Sequence, residues 1–151
     1  MISNPGTSFY VDPRRVVVRN LEVPSGGGVG TARAIAKAYG VFASGGHELG
    51  LRPETIAALE APPVPARHGF YDECFRGPSF FSLGFMKRGD SVPFGHLGAF
   101  GAPGAGGSMG YADPQTGIGY GYITNRMRMD LQGDPRDVAL RAAIPTVPST
   151  P

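Results

Sequence analysis

A chain of 151 residues is long enough for one domain, and its 24 glycines and 15 prolines bring it near the compositions that stay disordered. A hydrophobic share of 41% excludes full disorder, because it allows a core to be buried. Fourteen basic against twelve acidic residues leave a net charge of +2, which gives no electrostatic ground for a nucleic-acid or membrane partner.

In chain order, Val16-Val17-Val18 reads as a short strand within an extended N-terminal segment, residues 1–20. Pro24 to Gly30 reads as a glycine-rich loop. A helix is predicted from Thr31, the N-cap, because Ala32, Ile35, Ala36 and Tyr39 fall at helical spacing. Gly40 weakens its end and Gly45-Gly46 stop it. A second helix starts at Pro53, with Glu54 favoured in its first turn, and Pro62-Pro63 and Pro65 end it.

Residues 62–79 read as loop, with a polar and aromatic stretch from His68 to Phe75. Phe80 to Met86 reads as one strand, followed by a turn at Lys87-Arg88-Gly89-Asp90. Residues 105–112 and 118–125 read as paired strands joined by Asp113-Pro114-Gln115-Thr116-Gly117. Asp134-Pro135 opens a last helix through Val138, Leu140, Arg141 and Ile144, and Pro145 ends it. Residues 145–151 read as a flexible tail. Helices, then strands, a hairpin and a terminal helix imply an α+β fold, an antiparallel sheet with flanking helices.

Arg14-Arg15 with Arg19, and Arg126 with Arg128, read as solvated surface. The lone Cys74 excludes an internal disulfide. Beside Glu73 it lacks the electropositive surroundings that activate a thiol, and it reads as a small, partly buried residue. No apolar run approaches a membrane span and no signal peptide opens the sequence, so a cytoplasmic location is the expectation for a chain starting at Met1.

Several motifs invite a chemical reading. Gly106-Gly107-Ser108-Met109-Gly110 matches G-x-S-x-G, but that elbow needs a helix after it, and a hairpin follows here; Ser108 therefore reads as a strand residue. Gly26-Gly27-Gly28-Val29-Gly30-Thr31 precedes a helix without dinucleotide or Walker spacing and reads as a loop, with anion binding the lesser alternative. His47, His68 and His96 sit in three segments without metal-ligand spacing; they read as surface or loop histidines, and no metal is implied. The carboxylates Glu48, Glu54, Glu60, Asp72 and Glu73 form no paired pattern.

The segment 21–144 resembles the C-terminal part of the serine β-lactamase-like hydrolases, a group that includes esterases, D-amino-acid peptidases and penicillin-binding proteins. The resemblance rests on Glu22 to Arg33, Phe100 to Ser108, Asp113-Pro114 and Thr124-Asn125-Arg126. It implies part of a β-lactamase/transpeptidase-like fold and an acyl-enzyme reaction on a small-molecule ester, amide or lactam, with no metal or organic cofactor. It places the family's third motif, Lys-x-Gly or His-x-Gly, at Ala102-Pro103-Gly104, on a strand running from Ala102 to Ser108. Ala105 is then a backbone oxyanion donor, and Ala102, Pro103, Gly104, Gly106, Gly107 and Ser108 line the substrate.

The sequence departs from the family pattern in two ways. Ala102 stands where many relatives carry Lys or His, which favours an ester or peptide over a lactam; His96-Leu97-Gly98 matches His-x-Gly six residues too early. Neither Ser-x-x-Lys nor Tyr-x-Asn or Ser-x-Asn occurs, and in relatives both lie N-terminal to this region. The expectation is a chain inactive alone that partners a complementary N-terminal portion or itself, through apolar surface at Phe80, Phe81, Leu83 and Phe85. The alternatives are a non-catalytic binding or structural module, using its groove or sheet edge, and a truncated remnant.

Overall fold

A computed structural model describes residues 28–74, 76–90, 92–128 and 133–144. The chain divides into two units at Gly30/Thr31, and the fold described is that of the second, Thr31–Pro151. The expected strand at Val16–Val18, the matching residues before Gly28 and the expected tail 145–151 lie outside the described residues.

Helix α1 spans Ala32–Ala43 and starts where Thr31 accepts the Ala34 N–H on its hydroxyl, at 3.2 Å. A single 3-10 turn, His47–Leu49, leads to helix α2, Pro53–Glu60, with proline at its first turn. Strands β1 (Tyr71–Asp72) and β2 (Gly77–Pro78) form a small separate hairpin. Strands β3 (Phe81–Ser82), β4 (Phe85–Lys87), β5 (Phe100–Pro103), β6 (Met109–Asp113) and β7 (Ile118–Tyr122) form an antiparallel meander in sequence order. Helix α3, Pro135–Ala142, is capped by Asp134 through the Arg136 N–H. The fold is α+β, as the order of elements implied.

The period of two along the strands separates two cores. On one face, Phe100 and Ala112 are fully enclosed and meet Ala43, Ile56 and Leu59 from the helices. Phe42, Phe85 and Phe100 pack edge to face there, with centroids 5.2 to 6.0 Å apart. On the other face, Met109 and Tyr111 pack with Val92, Phe94 and Ala99, and Tyr111 stacks on Tyr120 at 5.0 Å. The register pairs Gly110 with Gly121 and Ala112 with Gly119, so a row of small residues faces α1. A β-carbon at Gly110 would come 2.5 Å from the Tyr39 ring, and one at Gly121 would come 2.5 Å from the Ala32 carbonyl oxygen. These strand glycines let the helix lie on the sheet.

The structure corrects several local expectations. Phe80 to Met86 is not one strand. It is the β3–β4 hairpin, turned at Leu83 and Gly84 with φ of 53° and 83°. Residues 62–79 are not all loop, since β1 and β2 pair there. Ala102 to Ser108 is not a continuous strand either: β5 ends at Pro103 and β6 begins at Met109, so Ser108 precedes the strand. Lys87 is a buried strand residue rather than part of a turn. Cys74 is exposed rather than partly buried, in a surface turn where its N–H donates to Asp72. Helix α3 ends at Ala142, short of Ile144. Phe81 and Leu83 are exposed as expected, but Phe85 belongs to the core.

Candidate functional site

The predicted site residues gather at one end of the sheet, where β5 turns into β6. Pro103 pairs with Met109, and the five residues between them close a tight turn. The Gly104 N–H donates to the Ser108 carbonyl at 2.8 Å, and the Gly107 N–H donates to the Gly104 carbonyl at 3.1 Å. Ala105 stands exposed in this turn. Among the described residues its N–H donates to no backbone carbonyl. Ala102 lies on the strand leading in and pairs with Gly110, on the sheet face that carries the helices. Ala102, Pro103, Gly104, Ala105, Gly106, Gly107 and Ser108 are thus all in the end of one strand and the turn that leaves it.

Three of these glycines are closely approached by neighbouring side chains. A β-carbon at Gly104 would lie 2.2 Å from the Ser108 hydroxyl oxygen. One at Gly106 would lie 2.6 Å from the end of Met127, and one at Gly107 would lie 2.6 Å from an Asp134 carboxylate oxygen. Gly106 and Gly107 also hold φ of 93° and 100°, a left-handed backbone that side chains resist. The segment after β7 straps the turn: the Arg128 N–H donates to the Gly106 carbonyl at 3.0 Å.

Asp134 supports the turn from behind. Its carboxylate is buried and accepts three bonds from Arg136, from the backbone N–H at 2.9 Å, Nε at 3.0 Å and Nη2 at 2.6 Å. The guanidinium holds this carboxyl at about 2, well below its ordinary value. The same Nη2 reaches the Arg126 carbonyl at 2.9 Å, which ties α3 to the chain leaving β7. Sequence reading identified Asp134 as a helix cap but not as the wall behind Gly107. Met127, Asp134 and Arg136 carry no local signal for this role, because their partners lie in other elements.

This arrangement can present a fixed hydrogen-bond donor to a developing negative charge. It supplies neither base nor nucleophile: among the described residues no imidazole, amine or carboxylate hydrogen-bonds to the Ser108 hydroxyl. Of the three histidines, His47 and His68 are exposed. His96 joins Asp113 at 2.7 Å, at the far end of β6 from the turn. Among the described residues no group of three or more His, Cys, Asp or Glu is placed to hold a metal ion. No helix among them is long and apolar enough to cross a membrane.

The chain is similar to known proteins over most of its length. The chain is 35% identical over 113 residues to the esterase/beta-lactamase LipL of Mycobacterium tuberculosis (strain ATCC 25618 / H37Rv), covering 73% of this chain and 25% of LipL. It superposes on a family VIII carboxylesterase with a TM-score of 0.65 and 34% identity, over 75% of this chain and 30% of that one. A penicillin-binding protein homologue from Caulobacter crescentus gives a TM-score of 0.61 at 32% identity, over 73% of this chain and 30% of its own. The chain therefore spans about a quarter to a third of the length of these relatives. The Beta-lactamase family model matches residues 3–143, and the chain belongs to that family.

Proposed function

We propose that this chain forms the substrate-facing C-terminal part of a serine hydrolase that cleaves carboxylic esters or peptides through an acyl-enzyme. The β5–β6 turn supplies the Ala105 N–H as one donor to the tetrahedral oxyanion, and the nucleophilic serine and its lysine come from sequence outside these 151 residues. The observation that carries this reading is the turn itself. Its Ala105 N–H has no backbone acceptor among the described residues, while backbone bonds to the Ser108 and Gly104 carbonyls and from the Arg128 N–H fix the flanking glycines. The rigid donor needs no reorganisation as charge develops, which is the condition for oxyanion stabilisation. Ala102 brings no charge to the cleft, so a substrate without a carboxylate to be paired suits this site.

The test uses this chain joined behind the N-terminal part of LipL, assayed with p-nitrophenyl acetate. The chimera turns over and the chain alone does not. Ala105→Pro, which deletes the N–H, lowers kcat by about 10²–10³ while Ala105→Gly keeps it. Serine-dependent turnover by the chain alone, or an Ala105→Pro chimera with undiminished kcat, overturns the proposal.

A further inference from the structure

We propose that a cavity at the far end of β6 binds a small aliphatic monocarboxylate, at a site separate from the β5–β6 turn. The cavity has a volume of about 320 Å³ and lies between the β6–β7 hairpin, the loop before β5 and helix α3. It meets β6 at Tyr111 and Asp113, and the turn meets β6 at Met109, so along the strand Tyr111 lies roughly 7 Å and Asp113 roughly 13 Å from the turn at ordinary strand rise.

The lining separates into two kinds of surface. Phe94, Ile118, Val138 and Ile144 give it apolar walls. Arg88 and Arg141 give it nitrogen donors, and His96 adds an imidazole. The one carboxylate in the lining, Asp113, is already engaged. Its Oδ2 accepts the His96 backbone N–H at 3.1 Å and faces His96 Nδ1 at 2.7 Å, and its Oδ1 is shut away from solvent without a partner. Asp113 is thus spent on orienting the imidazole and is closed to a cationic ligand.

Arg141 is held rigidly. Its Nε donates to Asp137 at 2.9 Å and Nη1 donates to the Pro93 carbonyl, which leaves Nη2 uncommitted among the described residues. Arg88 is exposed and makes no ion pair among the described residues. The lining therefore sets one cation without an ion pair among the described residues, Arg88, beside apolar walls, and a carboxylate with a hydrocarbon tail satisfies both. A neutral alcohol of the same length leaves Arg88 unpaired, and an amine meets its like charge.

The experiment titrates the full 151-residue chain with hexanoate, hexanol and hexylamine, following backbone amide shifts by NMR. Hexanoate shifts His96, Thr116 and Val138 in a saturable way, and hexanol and hexylamine bind more weakly. Arg88→Gln weakens hexanoate by roughly two- to fivefold, the range for one exposed charge pair. Val138→Glu, at an exposed helix position, abolishes binding by placing an anion in the wall. Equal responses to hexanoate and hexanol, shifts confined to the β5–β6 turn, or unchanged binding by Val138→Glu each overturn the proposal.

Discussion

Gly119 in β7 lies directly against Gly40 in α1: a β-carbon on Gly119 would sit 2.0 Å from the Gly40 nitrogen and 2.4 Å from its Cα. Neither atom can swing away, since both are helix backbone. Gly119→Ala therefore forces α1 off the sheet and costs about 3 kcal/mol, the upper end for overpacking. The reverse position behaves oppositely. A β-carbon on Gly40 would meet nothing within 4 Å, and Gly40 sits in the last turn of the helix. Gly40→Ala is expected to stabilise by about 0.5–1 kcal/mol through the unfolded chain's lost freedom. Urea denaturation of both variants checks the pair, and a Gly119→Ala protein as stable as wild type contradicts the close packing.

Lys87 answers a deficit created by the prolines that end α2. The Leu59 carbonyl would ordinarily accept from the N–H four residues on, but that residue is Pro63, which has none. The buried Lys87 ammonium donates to this carbonyl instead, and it lies 5.3 Å from the centre of the Phe100 ring. Burial pushes the amine's pKa down, and Glu60 nearby offsets part of that shift. Lys87→Met keeps the stem and removes the donor. It is expected to destabilise by about 1–3 kcal/mol, the cost of an unsatisfied buried carbonyl, measurable as a lower urea midpoint.

Which parts of this fold were legible follows from how local their causes are. Thr31 and Asp134 mark helix starts through bonds to residues within one turn, Pro53 marks one through its fixed φ and missing N–H, and all three helices begin where those residues stand. The β6–β7 hairpin was equally plain, because Asp113 to Gly117 carries its turn chemistry in five residues. The β3–β4 hairpin was hidden because its turn puts Leu83 at positive φ, where sequence reading looks for Asn or Gly. The strand glycines were visible but only half understood. Those at 104, 106 and 107 do sit at the candidate site, whereas those at 110, 119 and 121 make room for α1. Nothing local separates the two sets. The His96–Asp113 pair spans 17 residues and was equally out of reach.

The tyrosines behind β6 and β7 should titrate late. The Tyr120 hydroxyl donates to Asp137 at 2.8 Å, and burial, this bond and the Asp137 charge all raise its pKa. Burial raises Tyr111 to about 12, with Arg141 opposing. A raised phenol pKa means that folding favours the neutral form. The stabilisation is complete below the ordinary value of 10.0 and is lost as pH climbs past it toward the folded values. Absorbance titration should show these two phenols ionising only with alkaline unfolding. Tyr120→Phe should cost about 1.5 kcal/mol at neutral pH, as expected for a hydrogen bond to a carboxylate. Early ionisation of both phenols in the folded protein contradicts their burial.

Acid should reach the turn that presents Ala105 through Asp134. Its carboxyl falls from 3.8 to about 2, first because Arg136 hydrogen-bonds to it. A depressed carboxyl pKa means that the fold prefers the ionised form. Its contribution is complete above 3.8 and fades as pH falls from there toward 2. Asp134→Asn keeps a competent cap for α3 but gives up the ionic bonds to Arg136. The urea midpoint of wild type should therefore exceed that of Asp134→Asn by a constant amount from about pH 7 to about pH 5. The gap should narrow through the window between the two pKa values. Because Asp134 Oδ2 lies 2.6 Å from where a β-carbon on Gly107 would be, the amide signals of Gly106 and Gly107 should move as the folded carboxyl titrates, at about 2. A gap that stays constant down to the lower pKa, or turn amides that ignore it, would separate Asp134 from the turn it is placed to support.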